Sequence, residues 1–168
     1  HHIDGTLTPM GRRFLELRLA EAMTDLDELD GWHSGVASAL ADRTWREDLR
    51  AILRRVGDLD RLAGRAASGR IGPSALRQLG LTLSALSELR TAGSAGNVQD
   101  HPIAVWTGQM GDFTDLAQGI ITTIGEDAPV TTRKPGYIAT GVNADLDRFR
   151  GICADSKGFL AGLQMRER

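Results

Sequence analysis

The chemically most suggestive residues are carboxylates that lie close together near the N-terminus. They are Asp25, Asp27, Glu28 and Asp30, and the imidazole of His33 follows them. Carboxylates beside a histidine are groups that general acid–base catalysis uses. On a helix that begins at Asp25, however, these carboxylates spread around the first turns, where acidic side chains stabilise the positive end of the helix dipole. We interpret them as helix-starting residues, and a small helical enzyme that uses Asp25, Asp30 or His33 is the alternative.

Other motifs typical of active sites are missing from the sequence. His33 and His101 lie in different segments without nearby cysteines or clustered carboxylates, so the ligand set of a zinc site is incomplete. A phosphate-binding loop needs a glycine-rich turn after a strand and a lysine, and no segment has this pattern. No local motif selects a serine–histidine–aspartate set. We therefore predict that this chain holds no catalytic residue, no cofactor-binding residue and no metal ligand.

Basic and acidic side chains are nearly balanced, which argues against a nucleic-acid surface in this chain. There are 20 lysines and arginines against 22 aspartates and glutamates, a net charge of −2. The pairs Arg12-Arg13 and Arg54-Arg55 could contact phosphate, but without a basic field around them we interpret them as solvated faces. Asp58 directly follows Gly57 and is interpreted as a helix cap rather than as a functional group.

Length and cysteine content bound the class of protein. A chain of 168 residues is one domain by default, long enough to bury a core. The single cysteine, Cys153, excludes an internal disulfide and fits a reducing compartment, so we expect a cytoplasmic protein. Because Cys153 falls on an apolar stripe, we expect a buried, inert thiol.

No apolar run reaches transmembrane length, and no membrane partner is expected. His1 and His2 are assigned no function.

The first half of the chain reads as a series of helices, which makes the fold class all-α. Thr8-Pro9 starts a helix to about Ala22, with apolar residues on two sides, so we expect it to be largely buried. Thr24-Asp25 starts a second helix and Thr44 a third, and Asp58 starts a fourth. A long fifth helix follows Pro73 and ends at about Arg90. The inward residues predicted for the second helix are Leu26, Leu29, Val36 and Leu40.

The second half is less regular. Residues 91–102 are the most loop-like stretch, and residues 103–124 predict a broken helical pair. Only residues 129–138 look extended, so the fold has at most one short β hairpin there. We expect one hydrophobic core under the base of the last helix, formed by Trp45, Leu49, Leu59, Leu62, Leu76, Leu79, Leu83, Phe113, Leu116 and Ile120.

The last helix is the longest predicted element and runs over residues 143–168. Asn143 is a good N-cap, and Asp145 and Asp147 suit the first turn. At 1.5 Å per residue the segment would span roughly 39 Å, more than one face of a small domain needs. It reaches the last residue without a Gly, Asn or Pro stop signal, so we expect the chain to be part of a longer protein. Residues 1–142 then form a helical core, and residues 143–168 form a strut that leads out of it. Its apolar stripe comprises Leu146, Phe149, Cys153, Ser156, Leu160 and Leu163.

Three stretches, in order along the chain, carry motifs that can be compared with known families. Residues 3–11 place an aspartate, two alternate threonines and a glycine ahead of a long helix. Residues 49–53, 58–62 and 69–70 end a helix, restart one with an Asp-Leu pair, and add a Gly/Arg turn before the next helix. The third stretch comprises Pro129, Arg133, Gly136, Ile138, Gly141, Leu146, Asp147 and Arg150, continuing to residues 166–168. Together the three stretches resemble the core and lever region of the MutS family of DNA mismatch-repair ATPases. The third resembles the hook that starts the lever helix in that family.

The resemblance implies a function for this chain inside a larger machine. MutS proteins are dimers or larger assemblies that encircle DNA, and their levers connect a DNA clamp to a composite ATPase. This chain would be the structural core with the first lever helix, coupling clamp to ATPase without catalysis of its own. The full-length protein would be a DNA-dependent ATPase that uses ATP and magnesium, forms a homodimer, binds DNA and has a MutL-like partner. The alternatives are the core of a divergent MutS-like protein that acts on recombination intermediates, and a stand-alone helical protein-interaction module.

Overall fold

A long helix in the middle of the sequence organises the fold. The computed structural model describes residues 3–21, 23–95 and 102–166, of which residues 157–166 are described by their backbone alone. The central helix, α5, is contacted by α3, α4, α6 and α7. The helices in chain order are α1 (Pro9–Ala20), α2 (Leu26–Ala41), α3 (Arg43–Leu53), α4 (Leu59–Ala67), α5 (Pro73–Gly93), α6 (Pro102–Gly108), α7 (Thr114–Thr123) and α8 (Ala144–Arg166).

The all-α class is confirmed, and most helix starts follow from side-chain caps. Thr8, Asp25 and Asp58 each accept a hydrogen bond from the backbone N–H three residues on. The third helix starts earlier than predicted, because Asp42 rather than Thr44 caps it, accepting from the N–H of Trp45 at 2.9 Å. The predicted end of the first helix at Ala22 and the centre of the predicted loop, residues 96–101, lie outside the described residues.

The hydrophobic interior consists of two clusters along α5 rather than the single core predicted. One cluster is formed by Leu62, Leu79, Leu83 and Ala117, with Leu59, Leu76, Leu86 and Ile120 packed against it. The other is formed by Trp45, Leu49 and Leu89, and Leu86 packs against this cluster as well. Phe113 and Leu116, predicted in the core, are exposed instead. They lie at the start of α7, whose inward face is carried by Ala117 and Ile120.

The two N-terminal helices are more exposed than predicted. Helix α1 contains no buried residue, so the expectation of a largely buried helix is wrong. In α2 the buried residue is Gly35, whereas Leu26, Val36 and Leu40 are exposed. The face of α2 that packs on the rest of the fold therefore carries Gly35 and the half-buried Trp32, whose ring lies 4.6 Å from that of Trp106. Of the four residues predicted inward, Leu29 is half-buried and the other three point outward.

The segment between α7 and α8 does not form the predicted hairpin. Residues 130–135 form bends and turns, and the single antiparallel bridge of this region joins Ile138 to Ile124, at the end of α7. Helix α8 starts as predicted, with the Asn143 side chain accepting from the N–H of Leu146 at 2.9 Å. Cys153 is exposed, so the prediction of a buried thiol is wrong. The stripe residues Leu160 and Leu163 have side chains outside the described part of the chain.

Candidate functional site at the root of the last helix

The connector between α7 and α8, residues 124–143, links the last helix to the end of α7. Its two ends are joined by backbone hydrogen bonds beside the Ile124–Ile138 bridge. The N–H of Gly125 donates to the carbonyl of Tyr137 at 3.0 Å, and the N–H of Ala139 donates to the carbonyl of Thr123 at 2.8 Å. The connector therefore leaves α7 and returns to its C-terminal end, where α8 begins. We call the connector together with the first seven residues of α8 the helix root.

Arg77 of α5 fixes the start of the connector. Its guanidinium donates to the carbonyl of Ile121 at 2.9 Å and to the carbonyl of Ile124, and it pairs with Glu126 at 3.4 Å. The last carbonyls of a helix lack intrahelical partners and carry the negative end of the helix dipole. An arginine side chain that is only 14% exposed supplies both the missing donors and the complementary charge. Arg77 thus caps α7 from a neighbouring helix.

The N-terminus of α5 holds the middle of the connector. The N–H of Ser74 donates to the carbonyl of Pro129 at 3.1 Å, which satisfies one of the free N–H groups of the first turn of α5. The carbonyl of Val130 lies directly against the Cα of Gly72, in the space that a Cβ atom would occupy. Glycine at position 72 is therefore explained by the close approach of the connector backbone.

Arg150 and Asp147 of α8 hold the end of the connector. Arg150 donates to the carbonyl of Ile138 at 2.9 Å and pairs with Asp147 at 3.2 Å. The other carboxylate oxygen of Asp147 accepts from the N–H of Gly141 at 2.7 Å. Gly141 has a φ of 88°, a conformation that favours glycine. The first two turns of α8 are thus bonded to the bridged segment, and through it to α7 and α5.

A cleft of about 220 Å³ lies between the connector and the first turns of α8. It is lined by Pro135, Gly136, Tyr137, Ile138, Leu146 and Arg150. Gly136 turns the chain there with a φ of 96°. The groups around the root are backbone amides, a half-buried arginine and apolar side chains, and they position a helix rather than activate a substrate.

Two of the four clustered carboxylates near the N-terminus, Asp25 and Glu28, have structural roles. Asp25 caps α2, accepting from the N–H of Glu28 at 3.0 Å. Glu28 pairs with Arg18 of α1 at 2.7 Å, while Asp27, Asp30 and His33 are exposed. In the described residues, no group of three or more His, Cys, Asp or Glu side chains could hold a metal ion. The other candidate ligand, His101, lies outside the described ranges.

Three of the four arginines considered as phosphate contacts are engaged by carboxylates. Arg12 pairs with Asp4 and Glu16, and Arg55 makes two hydrogen bonds to Glu88. Arg13 forms a bidentate pair with Asp58 at 2.8 and 2.9 Å and also bonds Asp60 at 2.7 Å.

The Arg13–Asp58 pair joins α1 to the start of α4. The hydrogen bonds from the Arg13 guanidinium, followed by the one from the Arg61 N–H, hold the pKa of Asp58 below its ordinary value of 3.8. Asp58 is confirmed as the cap of α4, since it accepts that Arg61 N–H at 3.4 Å.

Arg77 is a residue of this site whose role the sequence alone did not reveal. The available signal was a basic residue inside the apolar pattern of α5, between Leu76 and Leu79. An arginine there needs partners, since its side chain lies largely inside the fold, but the sequence does not say which carbonyls supply them. By contrast, seven of the residues quoted for the third stretch of the resemblance meet at the root: Pro129, Gly136, Ile138, Gly141, Leu146, Asp147 and Arg150.

No helix in the described part of the chain combines the length and the apolar character needed to span a membrane.

Comparison with known proteins identifies the family. A family model described as MutS domain III matches residues 1–166. The DNA mismatch repair protein MutS of Flavobacterium johnsoniae is 32% identical over 165 residues, which is 98% of this chain and 19% of that protein. The MutS proteins of Myxococcus xanthus and Chlorobium chlorochromatii are 31% and 33% identical over 166 residues, 99% of this chain in each case, and 18% and 19% of those proteins.

The match extends over the whole arrangement described above. It includes the caps of α1 and α4, the central α5 and the root of α8. The chain spans about a fifth of the length of these curated relatives. With α3, α4, α6 and α7 packed around α5 and the start of its last helix held by Asp147 and Arg150, this chain belongs to the MutS domain III family.

Proposed function

We propose that this chain is the structural core and first lever helix of a MutS-like DNA mismatch-repair ATPase. In this proposal it couples a DNA clamp to a distant ATPase and catalyses no reaction itself. The observation that carries the proposal is the root of α8, where the first turns of a long helix are bonded to a connector that is itself bonded to α7 and α5. Coupling between distant sites needs a stiff element whose position both sites can bias. A helix rooted in this way supports that role.

The full-length protein in this proposal binds ATP and magnesium through other parts of its sequence. The 168 residues contain no glycine-rich loop that ends in lysine and serine or threonine. The proposed nucleotide site therefore lies in a different part of the full-length protein. The proposed partners of the full-length protein are DNA, a second copy in a homodimer and a MutL-like protein, and its proposed location is the cytoplasm. The mismatch-repair assignment is supported by the names of relatives that this chain matches over nearly its whole length.

The test is to loosen the root without removing the helix. Arg150→Met in the full-length protein keeps an unbranched side chain but removes the hydrogen bond to Ile138 and the pair with Asp147. The lever would then lose its fixed angle, so we expect the basal ATPase rate to persist and its change on adding DNA to be lost. The measurement is the ATPase rate with and without duplex DNA at fixed salt, because DNA affinity depends strongly on salt concentration.

Arg148→Met is the matched control. Arg148 lies two residues away on the same helix, and its guanidinium sits 5.8 Å from the ring centre of Phe149, not on the connector. The same loss of one positive charge should leave the response to DNA intact. If a folded Arg150→Met protein responds to DNA as the wild type does, α8 is only a tether and the coupling proposal fails.

A further inference from the structure

The bridge between Ile124 and Ile138 leaves two backbone carbonyls on opposite edges of the bridged segment. Both hydrogen bonds across the bridge are made by the residues on either side of this pair. Ile124 and Ile138 are therefore a non-hydrogen-bonded antiparallel pair, in which each carbonyl points away from the opposite segment. Each of these carbonyls needs a hydrogen-bond donor from elsewhere in the fold.

An arginine supplies the donor on each edge. Arg77 of α5 donates to the carbonyl of Ile124, and Arg150 of α8 donates to the carbonyl of Ile138 at 2.9 Å. One arginine belongs to the central helix of the core and the other to the helix that leaves it. The bridge is thus fixed on one edge by the core and on the other edge by α8.

Few hydrogen bonds connect α8 to the core. The first turns of α8 are bonded to residues 138–141, so this part of the connector moves with the helix. Among the hydrogen bonds of the described residues, the two across the bridge join residues 137–156 to the rest of the chain. A few residues at the end of an element are the usual site of a hinge. The bridge therefore has the position and the sparse bonding of a hinge for α8.

Arg77 controls the core side of this hinge. The N–H of Gly125 would close the last turn of α7 on the carbonyl of Ile121, but it donates to Tyr137 across the bridge. Arg77 donates to the Ile121 carbonyl at 2.9 Å in its place, as well as to Ile124. Without this guanidinium the last turn of α7 would lose the donors that compensate for its missing helical bonds. Because Ile124 is one half of the bridge, its displacement would move α8.

We propose that Arg77 is a positioning residue that sets the angle at which α8 leaves the core, with the Ile124–Ile138 bridge as the hinge. This role deepens the proposed function and rests on it, in that α8 acts there as the lever. The proposed function needs a rooted helix, whereas the hinge assigns the angle of that helix to a side chain of α5.

The test measures the distance between the core and α8 in the full-length protein. Nitroxide labels are attached at Ala51→Cys of α3 and Ala154→Cys of α8, both exposed positions, after Cys153 and any other cysteine are replaced by serine. Labelled protein is diluted with unlabelled protein, so that each measured pair lies within one chain. Residue 154 lies about 15 Å along α8 from its start, so a swing of about 20° moves it by about 5 Å. We expect Arg77→Met to widen the distance distribution from pulsed EPR by about 5 Å relative to wild type.

Two control variants separate positioning from the loss of an ion pair and from the loss of stability. Glu126→Gln removes the ion pair of Arg77 but keeps its carbonyl bonds, and because Glu126 is 88% exposed the distribution should keep its wild-type width. Leu79→Ala weakens the cluster that contains Leu62 and Leu83, so it should lower the melting temperature without widening the distribution. Arg77→Gln, which keeps one amide donor, replaces the methionine variant if that protein does not fold, and the same widening is expected.

Three results would overturn the role of Arg77. They are a wild-type width in the folded Arg77 variant, equal widening in Leu79→Ala, and equal widening in Glu126→Gln. The ATPase response to DNA, measured on the same proteins, separates this role from the proposed function. A wild-type width in Arg77→Met, with the response lost in Arg150→Met, refutes the role of Arg77 alone. A widened distribution with an intact response keeps the hinge and refutes the coupling proposal.

Discussion

The contact between α5 and α7 makes one glycine a sensitive test of the fold. A methyl group on Gly80 would lie 2.8 Å from Cγ2 and 3.1 Å from Cβ of Ile120, and 3.2 Å from Cγ1 of Ile121. Carbon atoms pack best at about 3.5–4.0 Å, so the two helices would have to separate locally by roughly 0.7 Å. Ile120 cannot easily turn aside, because a β-branched side chain has one strongly preferred rotamer in a helix.

The expected change in the free energy of unfolding is the difference between a gain in helix stability and a cost of overpacking. Replacing glycine by alanine inside a helix contributes about 1 kcal/mol of stability, whereas overpacking costs about 1–3 kcal/mol. Because the contacts are short and Ile120 cannot easily turn aside, we take about 3 kcal/mol as the cost of overpacking. After the gain of about 1 kcal/mol is subtracted, Gly80→Ala should lower the free energy of unfolding by about 2 kcal/mol. Gly64→Ala is the control, since Gly64 is in α4 and nothing lies within 4 Å of its Cβ position. It should raise stability by about 1 kcal/mol.

The assay is urea unfolding of the two single variants, supported by thermal melts. The same chemical change should act with opposite sign at the two sites, and the gap of about 3 kcal/mol corresponds to about 6–12 °C in melting temperature for a domain of this size. A third variant, Gly80→Ala with Ile120→Ala, removes the Cγ2 atom. Measured against Ile120→Ala alone, Gly80→Ala should then have little effect, because the contacts that remain to Cβ of Ile120 and Cγ1 of Ile121 offset the helix gain of about 1 kcal/mol. The coupling is about 2 kcal/mol. If Gly80→Ala stabilises as much as Gly64→Ala, α5 and α7 are not in the contact described here.

Two further predictions concern the core and an ion pair. Leu79→Ala should lower the free energy of unfolding by about 2–5 kcal/mol, because Leu79 is buried in the cluster with Leu62 and Leu83; a melting temperature within a degree of wild type would contradict this. Arg13 lowers the pKa of Asp58, so the ionised carboxylate stabilises the fold above the ordinary pKa of 3.8, and this contribution is lost as the pH falls through the lowered pKa. Asp58→Asn should therefore be less stable than wild type at neutral pH, and urea unfolding at a series of pH values should show the difference shrinking below pH 3.8. A difference that stays constant into acid would exclude the carboxylate charge as its cause.

The helix starts could be predicted from sequence because they depend on neighbours in the chain. Thr8, Asp25, Asp58 and Asn143 cap the helices assigned to them, since each bonds an N–H three residues away. The resemblance also identified residues such as Asp147 and Arg150, which meet at the α8 root.

Burial was harder to predict, because it depends on what packs against a stripe. Leu26, Val36 and Leu40 have the spacing of inward residues, but α2 packs through Gly35 instead. Gly35 permits the close approach of the Trp106 ring, which would lie 3.3 Å from a Cβ at this position, and the spacing of apolar residues does not reveal that partner. The position of Arg77 depends on carbonyls more than forty residues away, so no local pattern could reveal its partners.

Leu86 packs against both hydrophobic clusters, and this has a consequence for how the domain unfolds. Cooperative unfolding requires that the loss of one cluster destabilise the other, and in the described part of the chain Leu86 of α5 connects the two. Truncation of Leu86 would weaken both clusters and the link between them at the same time. The chain could then melt in two steps, with the α3 side and the α7 side behaving as separate foldons in hydrogen exchange.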